Sequence, residues 1–259
     1  MKIIFTRNEA WGSVIRTSTH ALAEQFLNAG WEGLWLSHAL TPWRLFYRSF
    51  KSQSRIWLKG GCSSKGMIEY CPLFLAAYVG NRFLSSRFLW KISPNLTVPP
   101  LKSFVNKRCF SSPDVLWLAF LSTASVHRIM SPKVIVYHAH DAFALYPNAS
   151  SKTRTLERDV VTQAHLVVTT AATTAVALKD SYSLPDSKVL HVPHGVDLSR
   201  YAQKLSEPPD LVPIPRPRVT VVGTLDLEDP RLLAHTARLM PHVHFVLIGP
   251  YGERFRNII

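Results

Sequence analysis

Three short apolar runs, Lys133-Val-Ile-Val-Tyr-His138, Leu166-Val-Val-Thr-Thr170 and Lys188-Val-Leu-His-Val192, alternate with two stretches of helical character, Lys152 to Ala164 and Thr173 to Ser181. The runs are rich in β-branched residues and too short for buried helices, so they read as strands. Strand, helix, strand, helix, strand in close succession predicts parallel strands joined by crossover helices. The fold class is therefore α/β, a doubly wound Rossmann-like sheet with helices on both faces.

The same rhythm extends upstream. Lys2 to Thr6 predicts a strand, and Val14 to Ala29 a helix carrying Ile15, Leu22, Phe26 and Leu27 on its apolar side. Gly30 stops that helix, and Gly33 to Leu36 forms the next strand. Residues 37–110 are broken by Gly60-Gly61 and Pro99-Pro100, and Val115 to Leu121 reads as a buried strand or a short helix. Downstream, residues 207–217 contain five prolines in eleven positions, the composition of a stiff interdomain linker. A second unit then opens with a strand at Arg218 to Val222, a helix at Pro230 to Met240 and a strand at His244 to Ile248. One βαβ unit buries too little to close a core. The expected organisation is a domain over 1–206, a linker over 207–217 and an incomplete, truncated domain over 218–259.

Of the 259 residues, 47% are hydrophobic, enough for a sizeable core. The opening apolar run is too short for a secretory leader, and no run approaches the ~20 residues of a membrane span. Three cysteines without a CxxC pair, Cys62, Cys71 and Cys109, argue against a disulfide framework or a structural zinc site and fit a reducing cytoplasm. The net charge is +13, and it is concentrated: residues 41–110 hold twelve Lys/Arg against the single acidic residue Glu69. Such a block attracts an anionic partner. That partner is nucleic acid, anionic lipid or a phosphorylated ligand, and composition alone does not decide; no nucleic-acid motif accompanies the block, which makes nucleic acid the weaker option and an anionic membrane surface the expected partner. Within the block, Thr41 to Lys51 spaces Trp43, Phe46, Tyr47 and Phe50 at helical intervals, with Arg44, Arg48 and Lys51 on the adjoining face. Thr41-Pro42 provides a helix start, and the predicted element is a short basic amphipathic helix lying in a membrane interface. The competing reading is a surface helix docked on its own domain.

Several polar residues stand where strands should end, the place at which doubly wound sheets bind ligands. Asp141 follows the 133–138 strand and is either a general base for an incoming hydroxyl or a cap of the next turn. His138 and His140 share one strand face; with Asp141 they can be drawn as a metal set for a hydrolase, but no further ligand cluster completes it, and no metal or cofactor is expected. Arg7, Arg16 and His20 follow the first strand. Arg16 is a candidate for a diphosphate and His20 either an acceptor contact or a packed histidine. Gly223 and Gly249 follow strands of the second unit, where glycine admits a ligand close to the backbone or simply makes a tight turn. Asp229-Pro230 reads as N-cap and first helical residue rather than as a metal-binding pair.

Taken together, these segments resemble the two-Rossmann-domain, GT-B type glycosyltransferases. Val189-Leu-His-Val-Pro-His-Gly-Val-Asp197 is similar to the motif that closes the first domain in that family, with His194 in place of its usual Asn. Val221-Val-Gly-Thr-Leu225 and Phe245-Val-Leu-Ile-Gly249 are similar to the opening strands of its nucleotide-sugar domain, and Glu157 to Thr170 to a helix-strand unit of the first. Arg16 to Trp31, with Thr41-Pro-Trp-Arg-Leu45 and Arg55, more specifically resembles the xanthan-type glucuronosyltransferases (the GumK family). The resemblance implies transfer of a sugar, glucuronic acid among the candidates, from a UDP-sugar or similar donor to a lipid-pyrophosphate-linked oligosaccharide in exopolysaccharide synthesis. It implies a peripheral enzyme on the inner face of the plasma membrane. It places the catalytic carboxylate at Asp141, acceptor or phosphate contacts at Arg16, His20 and His140, and nucleotide-sugar contacts at Gly223, Thr224 and Gly249. The rival expectations are a non-catalytic membrane- or glycan-binding remnant and the metal-dependent hydrolase built on His138, His140 and Asp141.

Overall fold

The structure is a computed structural model that describes residues 1–13, 16–37, 39–47, 50–64, 66–74, 87–146, 149–196, 198, 202 and 205–258. The chain divides into two compact units, Met1–Gly195 and Val196–Ile259.

In chain order, the first unit contains β1 (Lys2–Thr6), α1 (Ser18–Asn28), β2 (Glu32–Leu36), α2 (Lys51–Leu58), β3 (Cys62–Ser64), β4 (Met67–Tyr70), β5 (Leu73–Phe74), α3 (Arg87–Ile92), β6 (Thr97–Val98) and α4 (Leu101–Lys107). Then come β7 (Val115–Leu118), β8 (Val134–Ala139), α5 (Ser151–Gln163), β9 (Leu166–Thr169), α6 (Ala172–Tyr182) and β10 (Val189–His191), with a run of 3-10 turns over Leu121–Ile129 between β7 and β8. Eight strands form one sheet in the order β10-β9-β8-β7-β1-β2-β4-β3. All neighbours are parallel except β3, which runs antiparallel along the β4 edge. The fold class is the expected α/β doubly wound sheet.

The period of two along each strand explains why both faces are buried. In β1, Ile4 joins one core with Leu34, Leu36, Leu116, Tyr137 and Val167, packed under α4, α5 and the 3-10 run. Its neighbours Ile3 and Phe5 face the opposite core with Trp35, Trp117, Val136 and Val168, against which Leu22, Phe26 and Leu27 of α1 pack. The strand order reverses direction at β1: β2 and β4 follow on one side, β7 to β10 on the other. The crevice at this switch point, beyond the carboxyl ends of β1 and β7, is where such sheets bind ligands.

Two expectations are corrected. The first helix begins at Ser18 rather than Val14, with Thr17 as its N-cap; Val14 and Ile15 lie outside the described residues. The stretch Thr41 to Lys51 is not one amphipathic helix. Pro42–Phe46 forms a 3-10 turn behind the expected Thr41-Pro42 start, Tyr47 turns extended, and the α-helix begins only at Lys51. The aromatic residues are consequently split. Phe46 and Tyr47 are 90% and 60% exposed, whereas Phe50 packs on Leu40, Cys71 and Leu73 and carries the Arg44 guanidinium 4.8 Å from its ring centre. The helical spacing misled because the hydrophobic cluster at the end of β4 draws Phe50 inward. The side chain of Trp43 and residue Arg48 lie outside the described residues. Among the described residues no helix is long and apolar enough to cross a membrane.

The second unit pairs β11 (Arg218–Val222) with β12 (His244–Ile248) in parallel, joined by α7 (Pro230–Leu239) and followed by α8 (Glu253–Arg256). Asp229 caps α7, its Oδ1 accepting the Arg231 N–H at 2.9 Å with Pro230 at the first position, as the sequence predicted. The proline-rich stretch is tied to this unit: Glu207 pairs with Arg216 at 3.1 Å and with Arg218, and Arg218 Nε donates to the Ile214 carbonyl at 2.7 Å.

Candidate functional site

The first unit collects polar side chains beyond the carboxyl ends of β1, β7, β8 and β9. β8 delivers two histidines into this region. Trp117, on the neighbouring strand, donates its indole N–H to Nδ1 of His138 at 3.2 Å. That bond makes Nδ1 an acceptor, so the proton of neutral His138 sits on Nε2. The His138 and His140 rings lie 3.9 Å apart, and His140 is parallel to His194 at 6.1 Å. His140 Nε2 lies 3.1 Å from the Thr19 hydroxyl at the start of α1, and the His140 carbonyl accepts from the Thr170 hydroxyl at 3.2 Å. Burial, then the neighbouring imidazoles and Arg7, pushes His138 down to about 3; burial, then Arg7 and His194, pushes His140 down to about 4. Both rings are therefore neutral at physiological pH.

Arg7, the first residue beyond β1, supplies the local positive charge. Its Nε donates to Glu9 at 2.7 Å and its Nη1 to the Ala119 carbonyl at 3.3 Å, which holds the guanidinium between the ends of β1 and β7. Asp141 stands two residues past β8, exposed to solvent. It does not cap the turn that follows: Ala142 occupies the cap position of the 3-10 turn Phe143–Leu145. Burial, and then the nearby Asp141 carboxylate, raises the Tyr146 phenol above its ordinary range.

That turn is anchored from behind by a buried carboxylate. Glu157 of α5 is fully buried and accepts three hydrogen bonds, from the Tyr137 hydroxyl at 2.9 Å, the Ala144 N–H at 3.0 Å and the Tyr182 hydroxyl at 3.0 Å. Burial, followed by the Glu157 charge, holds both phenols above their ordinary range. One side chain thus links β8, α5, α6 and the turn next to Asp141.

The structure corrects the expectation for His20. It is fully buried, stacked against Trp11 and Trp35. Its Nδ1 accepts the Thr17 N–H at 3.1 Å, and its Nε2 donates to the Ala10 carbonyl at 3.0 Å. Both ring nitrogens are spent, and burial lowers its pKa. His20 is a packed capping histidine and offers nothing to a ligand. Arg16 stays exposed, where it pairs with Glu24, donates to the Trp11 carbonyl at 2.8 Å and lies over the Trp11 ring. Nδ1 of His138 is occupied by Trp117, and no group of three His, Cys, Asp or Glu among the described residues is placed to hold a metal ion.

In the second unit, Gly223 and Gly249 adopt φ of 151° and 149° at the ends of β11 and β12. A Cβ on Gly249 would overlap the Gly223 carbonyl oxygen, so two backbone turns meet where only glycine fits. Thr224 follows as the extended residue before the 3-10 turn Leu225–Leu227.

Sequence reasoning identified β8 and its histidines but missed Trp117, Thr19, Tyr146 and the anchoring role of Glu157. Trp117 sits in an unbroken apolar strand and carried no local sign of a polar partner.

No protein-family model matches the chain, and no curated protein matches it in sequence. Its fold matches solved structures. HepE from Anabaena, in complex with UDP and glucose, superposes with a TM-score of 0.61 over 100% of this chain and 63% of its own, at 14% identity. The OtsA apo structure gives 0.62 over 100% and 67%, also at 14% identity. A glycosyltransferase from Rickettsia africae gives 0.57 over 96% and 68%, at 10% identity. These likenesses establish a GT-B type α/β fold. The chain spans 63% of the HepE chain's length.

Proposed function

We propose that this chain forms the acceptor-binding part, with the opening of the donor-binding part, of a glycosyltransferase that uses a nucleoside diphosphate sugar. The observation that carries the reading is the placement of Asp141: an exposed carboxylate just beyond β8, the next residue in the chain after the neutral His140, in a fold shared with structures solved with UDP and glucose. In the transfer, an acceptor hydroxyl oxygen bonds to the anomeric carbon and its proton passes to the Asp141 carboxylate. The bond from that carbon to the diphosphate breaks, and the nucleoside diphosphate leaves with the electron pair. Arg7 is the described cation best placed to meet negative charge beyond β1, and the backbone turns at Gly223 and Gly249 are the donor-side contacts proposed with Thr224.

The acceptor in this reading is a lipid-linked oligosaccharide and the donor sugar glucuronic acid or a related hexose. The enzyme works against the inner face of the plasma membrane in exopolysaccharide synthesis. Supporting the membrane location are the basic block over 41–110 and the exposed Phe46 and Tyr47 within it. The test is label transfer. The segment, joined to the donor-binding half of a related glycosyltransferase, is incubated with radiolabelled UDP-glucose or UDP-glucuronate and lipid-linked oligosaccharides extracted from membranes. Label entering the lipid-linked fraction supports the reading; absence of transfer with every pairing sinks it.

A further inference from the structure

We propose that the pocket between the ends of β7 and β8 and the first turn of α5 seats a neutral sugar ring of the acceptor, beside Asp141; this rests on the transfer reading above. The pocket has a volume of about 360 Å³, within the ~300–1,000 Å³ range of small-molecule sites. Phe120 and Phe143 form one wall, their rings 6.2 Å apart at 72°, and the buried Leu156 lies among the lining residues. Phe143 continues edge-to-face into Tyr146 at 6.2 Å and 75°, and the Tyr146 phenol is raised by burial and then by the nearby Asp141 carboxylate. The aromatic row therefore ends at the carboxylate proposed to take the acceptor's proton.

The polar atoms of the wall decide the class of ligand. Ser150 Oγ accepts the Thr153 N–H at 3.1 Å and lies 3.0 Å from the Thr153 hydroxyl. A pair of hydroxyls bonded this way keeps an O–H and lone pairs to offer, so it both donates and accepts. Among the described residues no charged side chain lines the pocket. A phosphate or carboxylate seated there would lose its hydration without a paired charge. A pyranose meets each condition: its C–H face packs on aromatic rings and its hydroxyls match groups that donate and accept.

Saturation-transfer NMR on the full chain, with methyl β-glucoside and cellobiose as probes, tests this. Ring C–H protons of at least one probe should receive saturation. Phe143→Ala should weaken binding roughly threefold to tenfold, from the usual worth of an aromatic contact, while Phe143→Tyr should retain it. Thr153→Val keeps the backbone N–H that Ser150 caps and removes only the hydroxyl, so it probes the pocket without disturbing α5; a similar loss is expected from one hydrogen bond. No saturation of either probe, or binding unchanged in both Phe143→Ala and Thr153→Val, overturns the proposal. The label-transfer assay separates the two ideas. Transfer that is indifferent to these variants leaves the glycosyltransferase reading standing and removes the pocket. Pocket-dependent sugar binding without transfer in any pairing does the reverse.

Discussion

Trp117 and His138 are joined across neighbouring strands by an indole N–H that donates to the imidazole Nδ1 at 3.2 Å. A donor aimed at Nδ1 opposes protonation there, and burial opposes the charge that protonation would bring. Trp117→Phe should remove the first of these and leave the second. The His138 pKa, about 3 in the native protein, is then expected to rise. NMR titration of the imidazole carbons would follow it; an unchanged titration would mean that burial and the neighbouring His140, His194 and Arg7 set the value without the indole.

Four histidines of the first unit, His20, His127, His138 and His140, have folded pKa values below the ordinary value of 6.5. Above that value folded and unfolded chains are both neutral at these sites, and nothing is lost. As the pH falls below it, the unfolded chain takes up protons that the folded chain refuses, so stability declines. For His138 the decline continues to about pH 3 and for His140 to about pH 4, by at most about 1.4 kcal/mol per pH unit for each histidine. Melting temperature measured from pH 7.5 downward should drop steadily below pH 6.5, and His140→Asn should flatten the slope.

Asp141 is exposed and caps no turn, so Asp141→Asn should leave the melting temperature within a degree or so while lowering sugar transfer by about 10²-fold or more. A variant that transfers normally would move the base elsewhere in the crevice.

Removing the Glu157 carboxylate strands two buried phenols and the Ala144 N–H, and each buried polar group left unpaired costs about 1–3 kcal/mol. Glu157→Ala should therefore destabilise the first unit by several kcal/mol in urea denaturation. Glu157→Gln, which keeps the shape and most of the bonds, should cost much less. Equal losses would point to the charge, rather than the hydrogen bonds, as the stabilising feature.

The membrane proposal divides into a charge part and an apolar part. Lys51, Arg55 and Lys59 are exposed on and beside α2, and an anionic leaflet attracts each nearby basic residue by about 1 kcal/mol, an attraction that salt screens. Changing all three to Glu should abolish most salt-sensitive binding to anionic vesicles. Changing the exposed Phe46 and Tyr47 to Ser should remove the salt-resistant remainder, whereas Phe50→Ser should instead lower stability, because that ring is packed. Equal binding to neutral and anionic vesicles in a flotation assay would show that the basic block serves another partner.

The strands and helices of the sheet were legible because their signals are local. Lys133 to His138 and Leu166 to Thr170 announce buried strands by composition alone; they differ from β8 by one residue at each end and from β9 by one residue at its close. The position of Asp141 beyond β8 followed from the same reading. Where spacing was the only guide, the sequence misled. Phe46 and Phe50 look equivalent on a helical wheel, yet one is exposed and the other packed, because the cluster at Leu40, Cys71 and Leu73 comes from residues up to 23 positions away from Phe50. For His20 the sequence left an acceptor contact and a packed histidine both open, and packing against Trp11 and Trp35 decided for the second. Periodicity fixes which face of an element is apolar. Which polar atom finds a partner depends on strands and loops distant in sequence, and that is decided only when the sheet closes and brings Trp117 to His138 and Ala144 to Glu157.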